Sequence, residues 1–258
     1  INRQGKLGDD ACKIMTSALR AVDPSVCVQN ILQIKDKSII IGENLISSSD
    51  FDRIFIIGLG KASVPMAISL VDILGKRVNS AAVVTKDKEF LQYDGYKNKL
   101  QVHIGGHPIP TNNSLKATRS IIGGLPALTT RDIVIVLISG GGSALFTSPV
   151  KGVSLDDFQK MTELLLRSGA EIKEINTLRK HLDEVKGGRL ALSLQPAQIH
   201  TLILSDVVGD RLDMIASGPT VSDPTFFEDA LKIIDKYDLG DKLPQPIISY
   251  LDRGASGD

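Results

Sequence analysis

The 258-residue chain has no tryptophan, only two cysteines and no net charge, its 30 Lys and Arg balancing 30 Asp and Glu. Each shortage excludes something. Two cysteines cannot staple a disulfide scaffold, and both sit where small core hydrophobes are expected: Cys12 on a helical face with Met15 and Leu19, Cys27 inside Val26-Cys27-Val28. A reducing, cytoplasmic setting is expected from that usage. The charge balance argues against a nucleic-acid binder, because counterion release needs a surplus of Lys and Arg. No apolar run nears the ~20 residues of a membrane span, so no membrane partner is expected; the longest strong one is Ile133 to Ile138. No secretory leader is visible. The chain opens on Ile1 and closes on a polar stretch from Gly254 to Asp258, and both ends read as cuts in a longer protein.

What is present is an ordinary globular composition, 42% hydrophobic with 23 glycines, and enough length for a sizeable core. Apolar residues at 11, 15, 18 and 22 predict a helix over 9–21, and β-branched alternation over 26–41 predicts a strand pair or extended arm. Apolar runs at 53–58, 80–85, 100–104, 132–139 and 199–205 predict strands, the last two as buried ones. Between them lie helical patterns at 61–74 and at 112–125, the latter capped near Asn112. A further helix opens on a Ser154/Asp157 capping box, and another carries Ile172, Ile175, Leu178 and Leu182. A short helix follows at 189–194, and the last is predicted from Asp223-Pro224 to about 238, stopped by Gly240. Strands alternating with helices give the α/β class, a three-layer sandwich around a largely parallel sheet.

Such sheets hold ligands beyond the carboxyl ends of their strands. Gly58-Leu-Gly60-Lys61, Gly105-Gly-His107-Pro108, Ser139-Gly140-Gly141-Gly142-Ser143 and Ser205-Asp206-Val-Val-Gly-Asp210 occupy those ends. Three glycines flanked by serines after a strand can aim several N–H groups at one phosphate or carboxylate, more than a tight turn alone requires. Lys61 opposes the positive end of the helix it opens, and a bound anion would account for it. The motif is not a Walker A loop, since Phe55 stands where the first glycine belongs, nor a dinucleotide fingerprint, which Ser63 interrupts. Asp206 could hold Mg²⁺, accept a proton from a substrate hydroxyl, or cap a turn. His107, between glycine and proline, reads as binding or structural, and no histidine pair has zinc-site spacing. Asn176, Arg179, Lys180 and His181 precede Lys186, and this set reads as a solvated helix face from which Arg179 and Lys186 could complete an anion pocket.

Taken in order, Gly-Leu-Gly-Lys61-Ala-Ser, Gly-Gly-His107-Pro-x-Pro, Ser-Gly-Gly-Gly-Ser143-Ala, Ile-Asn176-x-x-Arg179-Lys-His, Lys186-Gly-Gly-Arg-Leu-Ala, Ser-Asp206-Val-x-Gly-Asp210 and Ile-Ala-Ser-Gly-Pro-Thr220-x-x-Asp-Pro224 resemble the class II glycerate 2-kinases over about residues 9–240. The resemblance implies ATP-dependent phosphorylation of D-glycerate to 2-phospho-D-glycerate with Mg²⁺. It also implies that residues 1–258 are a Rossmann-like N-terminal domain whose smaller C-terminal partner, which supplies an essential arginine in the family, is missing from this chain. Activity of this part alone is then expected to be impaired.

Lys61 matches the family's catalytic lysine and Asp206 its active-site aspartate, the latter also the metal candidate. Gly58, Gly60 and residues 139–143 are expected to hold nucleotide, with His107, Asn176, Arg179 and Lys186 toward glycerate. Two other readings stay open. One is an NAD(P)H-dependent hydroxypyruvate reductase, a label some members carry. The other is a non-catalytic anion-binding or oligomerisation module, and homo-oligomer formation is left open with it.

Overall fold

The computed structural model describes residues 5–257. Two helices, α1 (Gly5–Ala21) and α2 (Pro24–Ile31), lead into an antiparallel sheet of β1 (Leu32–Lys35), β2 (Ser38–Ile41) and β3 (Asn44–Ile46). The α/β core follows: β4 (Arg53–Leu59), α3 (Ser63–Leu74), β5 (Val78–Thr85), β6 (Leu100–Ile104), α4 (Asn112–Gly123), β7 (Asp132–Ser139) and α5 (Gly142–Leu145). Then come α6 (Leu155–Arg167), α7 (Ile172–His181), α8 (Arg189–Ser193), β8 (Gln198–Leu204), α9 (Phe227–Lys236) and α10 (Gln245–Ala255).

The main sheet is wholly parallel in the order β6-β5-β4-β7-β8. The chain therefore builds outward from β4 to one edge, then returns to add β7 and β8 on the other side. Strand residues alternate between the two faces. Ile54 and Ile56 meet Val64, Leu70 and Leu74 of α3 together with Val28 of α2 and Ile39 and Ile46 of the small sheet. Phe55, Ile57 and Leu59 meet Ala117 and Ile121 of α4, Phe146, and Leu190 of α8. The sandwich has the predicted three layers. A separate core joins α6, α7, α9 and α10 through Phe158, Met161, Leu178, Ile234 and Leu251, each buried side chain contributing about 1.5–3 kcal/mol.

Several expectations are corrected. Residues 24–31 are a helix, capped by Asp23, whose carboxylate accepts from the N–H groups of Ser25 and Val26, with Pro24 opening the first turn. Strand β8 is the sheet edge, and only Leu202 along it is buried. The last-named cap is not used: α9 starts at Phe227, where Asp229 accepts from the Phe226 N–H, and Asp223 serves an ion pair instead. That helix stops at Lys236, with Asp238 rather than Gly240 in the left-handed conformation. Neither cysteine is core, since both are partly exposed and α1 buries none of its residues. No helix among the described residues is long and apolar enough to cross a membrane.

Candidate functional site

Strands β4 and β7 lie side by side where the strand order reverses, the place in an open α/β sheet where two loops part to leave a crevice. Their two loops are tied together. The Lys61 N–H donates to Gly140 O at 3.0 Å, and the Ala62 N–H to Ser139 Oγ at 3.0 Å. This approach needs Gly60, at φ 117°, because a side chain there would collide with the Ser139 backbone. Ser139 is buried and its hydroxyl is a brace between the loops.

Three side chains converge on the glycine loop. A Cβ on Gly140 would collide with the Asp206 carboxylate. A Cβ on Gly141 would lie 2.9 Å from His107 Cδ2 and 3.3 Å from Lys61 Cε. Lys61, His107 and Asp206 are all exposed, so the group faces solvent on an open surface. Among the described residues, the N–H groups of Gly141, Gly142 and Ser143 donate to no protein acceptor. Gly141 is left-handed at φ 85° and Gly142 is helical, the alternation that turns successive N–H groups toward one anion. Only one helical turn follows, so these N–H groups rather than a macrodipole supply the positive potential. Partial burial first, then the Lys61 and Lys86 cations, hold the His107 imidazole below its ordinary range and keep it neutral at pH 7. Gly58 and Gly142 are also required by packing, because the space a side chain would take beside them is filled by Val83 and by Ala216 with Leu59.

A second constellation adjoins the Ser143 end of the loop. The Ser217 hydroxyl donates to Asn176 Oδ1 at 3.1 Å and lies 2.9 Å from Ser143 Oγ. With its only proton committed to Asn176, Ser217 must accept from Ser143, which leaves Ser143 lone pairs toward the site. Ala216 and Ser217 are consecutive non-glycine residues at φ 51° and 63°, a conformation costing about 1–3 kcal/mol each. The Gly187 and Gly188 N–H groups, donating to the Ser217 and Gly218 carbonyls at 3.0 and 2.7 Å, hold that turn in place. Sequence reasoning gave Ser217 no role, although the Gly218-Pro219 pair beside it marked a turn.

The solvated helix face predicted for α7 is instead a buried layer. Lys186 is fully buried, its ammonium donating to Asp183 Oδ2 at 2.9 Å and Phe146 O at 2.8 Å, so it is sealed from any substrate. Lys180, 3% exposed, pairs with Asp223 at 2.6 Å. Asn176 and Arg179 are one helical turn apart and share a face. Among the described residues no three His, Cys, Asp or Glu side chains gather to cage a metal. Asp206 alone fits Mg²⁺ only in the manner that ion favours, one carboxylate with phosphate oxygens and waters completing the shell.

Residues 10–252 match the family model described as Domain of unknown function, DUF4147. The chain belongs to this family. It is 42% identical over 249 residues to a glycerate 2-kinase of Pyrococcus horikoshii, covering 95% of this chain and 54% of that protein. A crystal structure of glycerate kinase from Thermotoga maritima superposes with a TM-score of 0.79 at 38% identity, covering 93% of this chain and 54% of the other. A putative hydroxypyruvate reductase of Agrobacterium vitis is 38% identical over 243 residues, covering 94% of this chain and 51% of that protein. The DUF4147 chain thus spans about half the length of the relatives it matches.

Proposed function

We propose that this DUF4147 chain is the nucleotide- and acid-binding half of a D-glycerate 2-kinase, which uses ATP to convert D-glycerate to 2-phospho-D-glycerate. The observation that carries the proposal is the meeting of Lys61, His107 and Asp206 over Gly140 and Gly141 at the switch point of the sheet. Similarity to glycerate kinases in sequence and in structure supports the choice of substrate. The half-length match supports the reading that the chain is one of two domains, the Rossmann-like one, and that turnover needs the other.

Phosphoryl transfer depends on positioning and charge neutralisation more than on covalent chemistry. The attacking oxygen is the 2-hydroxyl of glycerate, whose bond to the γ-phosphorus forms as the bond to the β,γ-bridging oxygen breaks, releasing ADP. Lys61 and the N–H groups of residues 141–143 stabilise charge on the transferring phosphoryl oxygens. His107, being neutral, can donate one hydrogen bond to the same oxygens without adding charge. Asp206, whose carboxylate is seated against Gly140, accepts the hydroxyl proton or would hold Mg²⁺. Asp206 would be the residue to hold Mg²⁺, which would supply neutralisation of phosphate charge there.

The test supplies the full protein with D-glycerate, ATP and Mg²⁺ and identifies the product. Glycerate-dependent ADP and 2-phosphoglycerate are expected, with Lys61→Ala lowering kcat by about 10³-fold or more on an intact fold. Oxidation of NADH by hydroxypyruvate without ADP formation would replace the proposal with the reductase. The interrupted dinucleotide fingerprint at Ser63 weighs against that second reading.

A further inference from the structure

Almost every buried charge in the helical lobe is answered by a neighbour. Lys180 has Asp223, Lys186 has Asp183, and Glu174 has Lys236 and Tyr237. Arg179 is the exception. It is only 9% exposed, and among the described residues no hydrogen bond or ion pair reaches its guanidinium. The one opposite charge it feels, Asp183, is already saturated. It accepts from Thr147 Oγ1 at 2.5 Å, the Ser148 N–H at 3.3 Å, the Val185 N–H at 3.0 Å and Lys186 Nζ at 2.9 Å. Arg179 and Lys186 together carry two positive charges against the single negative charge of Asp183. An unanswered buried charge is strongly unfavourable and is retained where a ligand supplies its counter-charge.

The guanidinium head is reachable although its stem is not. The one fully buried polar side-chain atom without a partner among the described residues is His103 Nε2, so each unpartnered Arg179 nitrogen keeps some contact with solvent. A solvated surface arginine would show far more than 9% exposure. Asn176, on the same helix face, is linked through Ser217 to Ser143, and Lys186, whose charge Arg179 feels, hangs from the Phe146 carbonyl. Lys61 therefore flanks the loop at Gly141, and Arg179 lies one turn along α7 from Asn176, whose hydrogen-bond link through Ser217 ends at Ser143.

We propose that Arg179 is the dock for one planar oxyanion, a carboxylate or a phosphate group, gripped through two parallel N–H bonds at the Ser143 end of the loop. The geometry of the guanidinium fork matches both groups. Assigning the oxyanion to the carboxylate of glycerate rests on the function proposed above, whereas the dock itself does not. The two anionic ends of the reaction then have separate cations, Lys61 for the phosphoryl group and Arg179 for the acid.

The test is calorimetric titration and thermal unfolding of this chain with D-glycerate, glycerol, inorganic phosphate and MgADP, for wild type, Arg179→Met and Arg179→Lys. Wild type is expected to bind D-glycerate and not glycerol, which keeps neighbouring hydroxyls but has no carboxylate. Arg179→Met should melt at or above wild type without ligand, because the uncompensated charge is gone, and should bind D-glycerate at least tenfold more weakly. Arg179→Lys should recover part of the affinity. Phosphate or MgADP binding that is lost in Arg179→Met, with no glycerate binding, keeps the dock, moves its oxyanion to the nucleotide and removes the glycerate assignment. An Arg179→Met chain that melts several degrees lower yet binds these anions like wild type overturns the dock, as does a wild type that binds none of them.

Discussion

At the scale of single residues, the site depends on what glycine lacks and on what two left-handed residues tolerate. Gly140→Ala would push the exposed Asp206 carboxylate off the loop. Stability should change by no more than about 1 kcal/mol, while displacement by about 1 Å of the carboxylate we propose to act on the hydroxyl should cost on the order of 100-fold in kcat. Urea unfolding and steady-state rates read the two effects separately. Ala216 and Ser217 offer a second separation. Ala216→Gly relieves a left-handed alanine and is expected within about 1 kcal/mol of wild type or better. Ser217→Ala keeps the strain and leaves Asn176 without its donor, so it should lose about 1–3 kcal/mol in the same unfolding experiment. Lys61, His107 and Asp206 were legible in the sequence because each follows a strand in a glycine-rich loop. Ser217 was not, because its meaning comes from contacts with Asn176 and Ser143, 41 and 74 residues away. Lys186 was misread because a lysine beside Gly187-Gly188 gives no sign that Asp183 and Phe146 will enclose it.

At the scale of elements, α7 is held in place by charge as well as by its apolar face. Its Glu174 meets Lys236 Nζ at 2.7 Å and the Tyr237 hydroxyl at 2.7 Å, linking α7 to the end of α9. Desolvation pulls this carboxyl upward, but the bonds from Lys236, Tyr237 and the Glu171 N–H prevail and hold it at about 2. A depressed folded value means that its contribution is complete above the unfolded carboxyl range near 4.5 and disappears as pH falls toward 2. Glu174→Gln should therefore lower the melting temperature at pH 6 and flatten its fall between about 4.5 and 2. An unchanged slope there would remove the pair from acid unfolding.

The helix caps show why element boundaries were only partly legible. Asp-Pro occurs at 23–24 and at 223–224, and the same local signal gives a cap at the first and none at the second. At Asp23 nothing competes for the carboxylate, whereas at Asp223 the buried Lys180 ammonium takes it, an interaction that no local pattern announces. Strands β4 and β7, continuous apolar runs closed by glycine or serine, carried enough local information to be placed within a residue.

For the whole molecule, the order β6-β5-β4-β7-β8 brings together loops some 80 residues apart in sequence, Lys61 with Gly140. The class of the fold was legible from alternation alone. The pairing of β4 with β7 was not, because parallel neighbours are chosen by crossover topology rather than by local sequence. The helical lobe of α6, α7, α9 and α10 supplies Asn176, which reaches the Ser143 end of the loop through Ser217, so the surroundings of the loop are set by more than one core. The exposed apolar residues of α1, Leu7, Ile14 and Leu19 among them, escape all three cores, which amphipathic spacing alone could not reveal.

The central claim is that the loop at the β4–β7 switch point handles phosphate through Lys61. Calorimetric titration of this chain with MgATP, beside the Lys61→Ala variant, tests it most directly. One saturable site is expected in the wild type, weakened at least tenfold in Lys61→Ala with the melting temperature unchanged. Equal affinity in the two proteins, or no binding to the wild type, would contradict it.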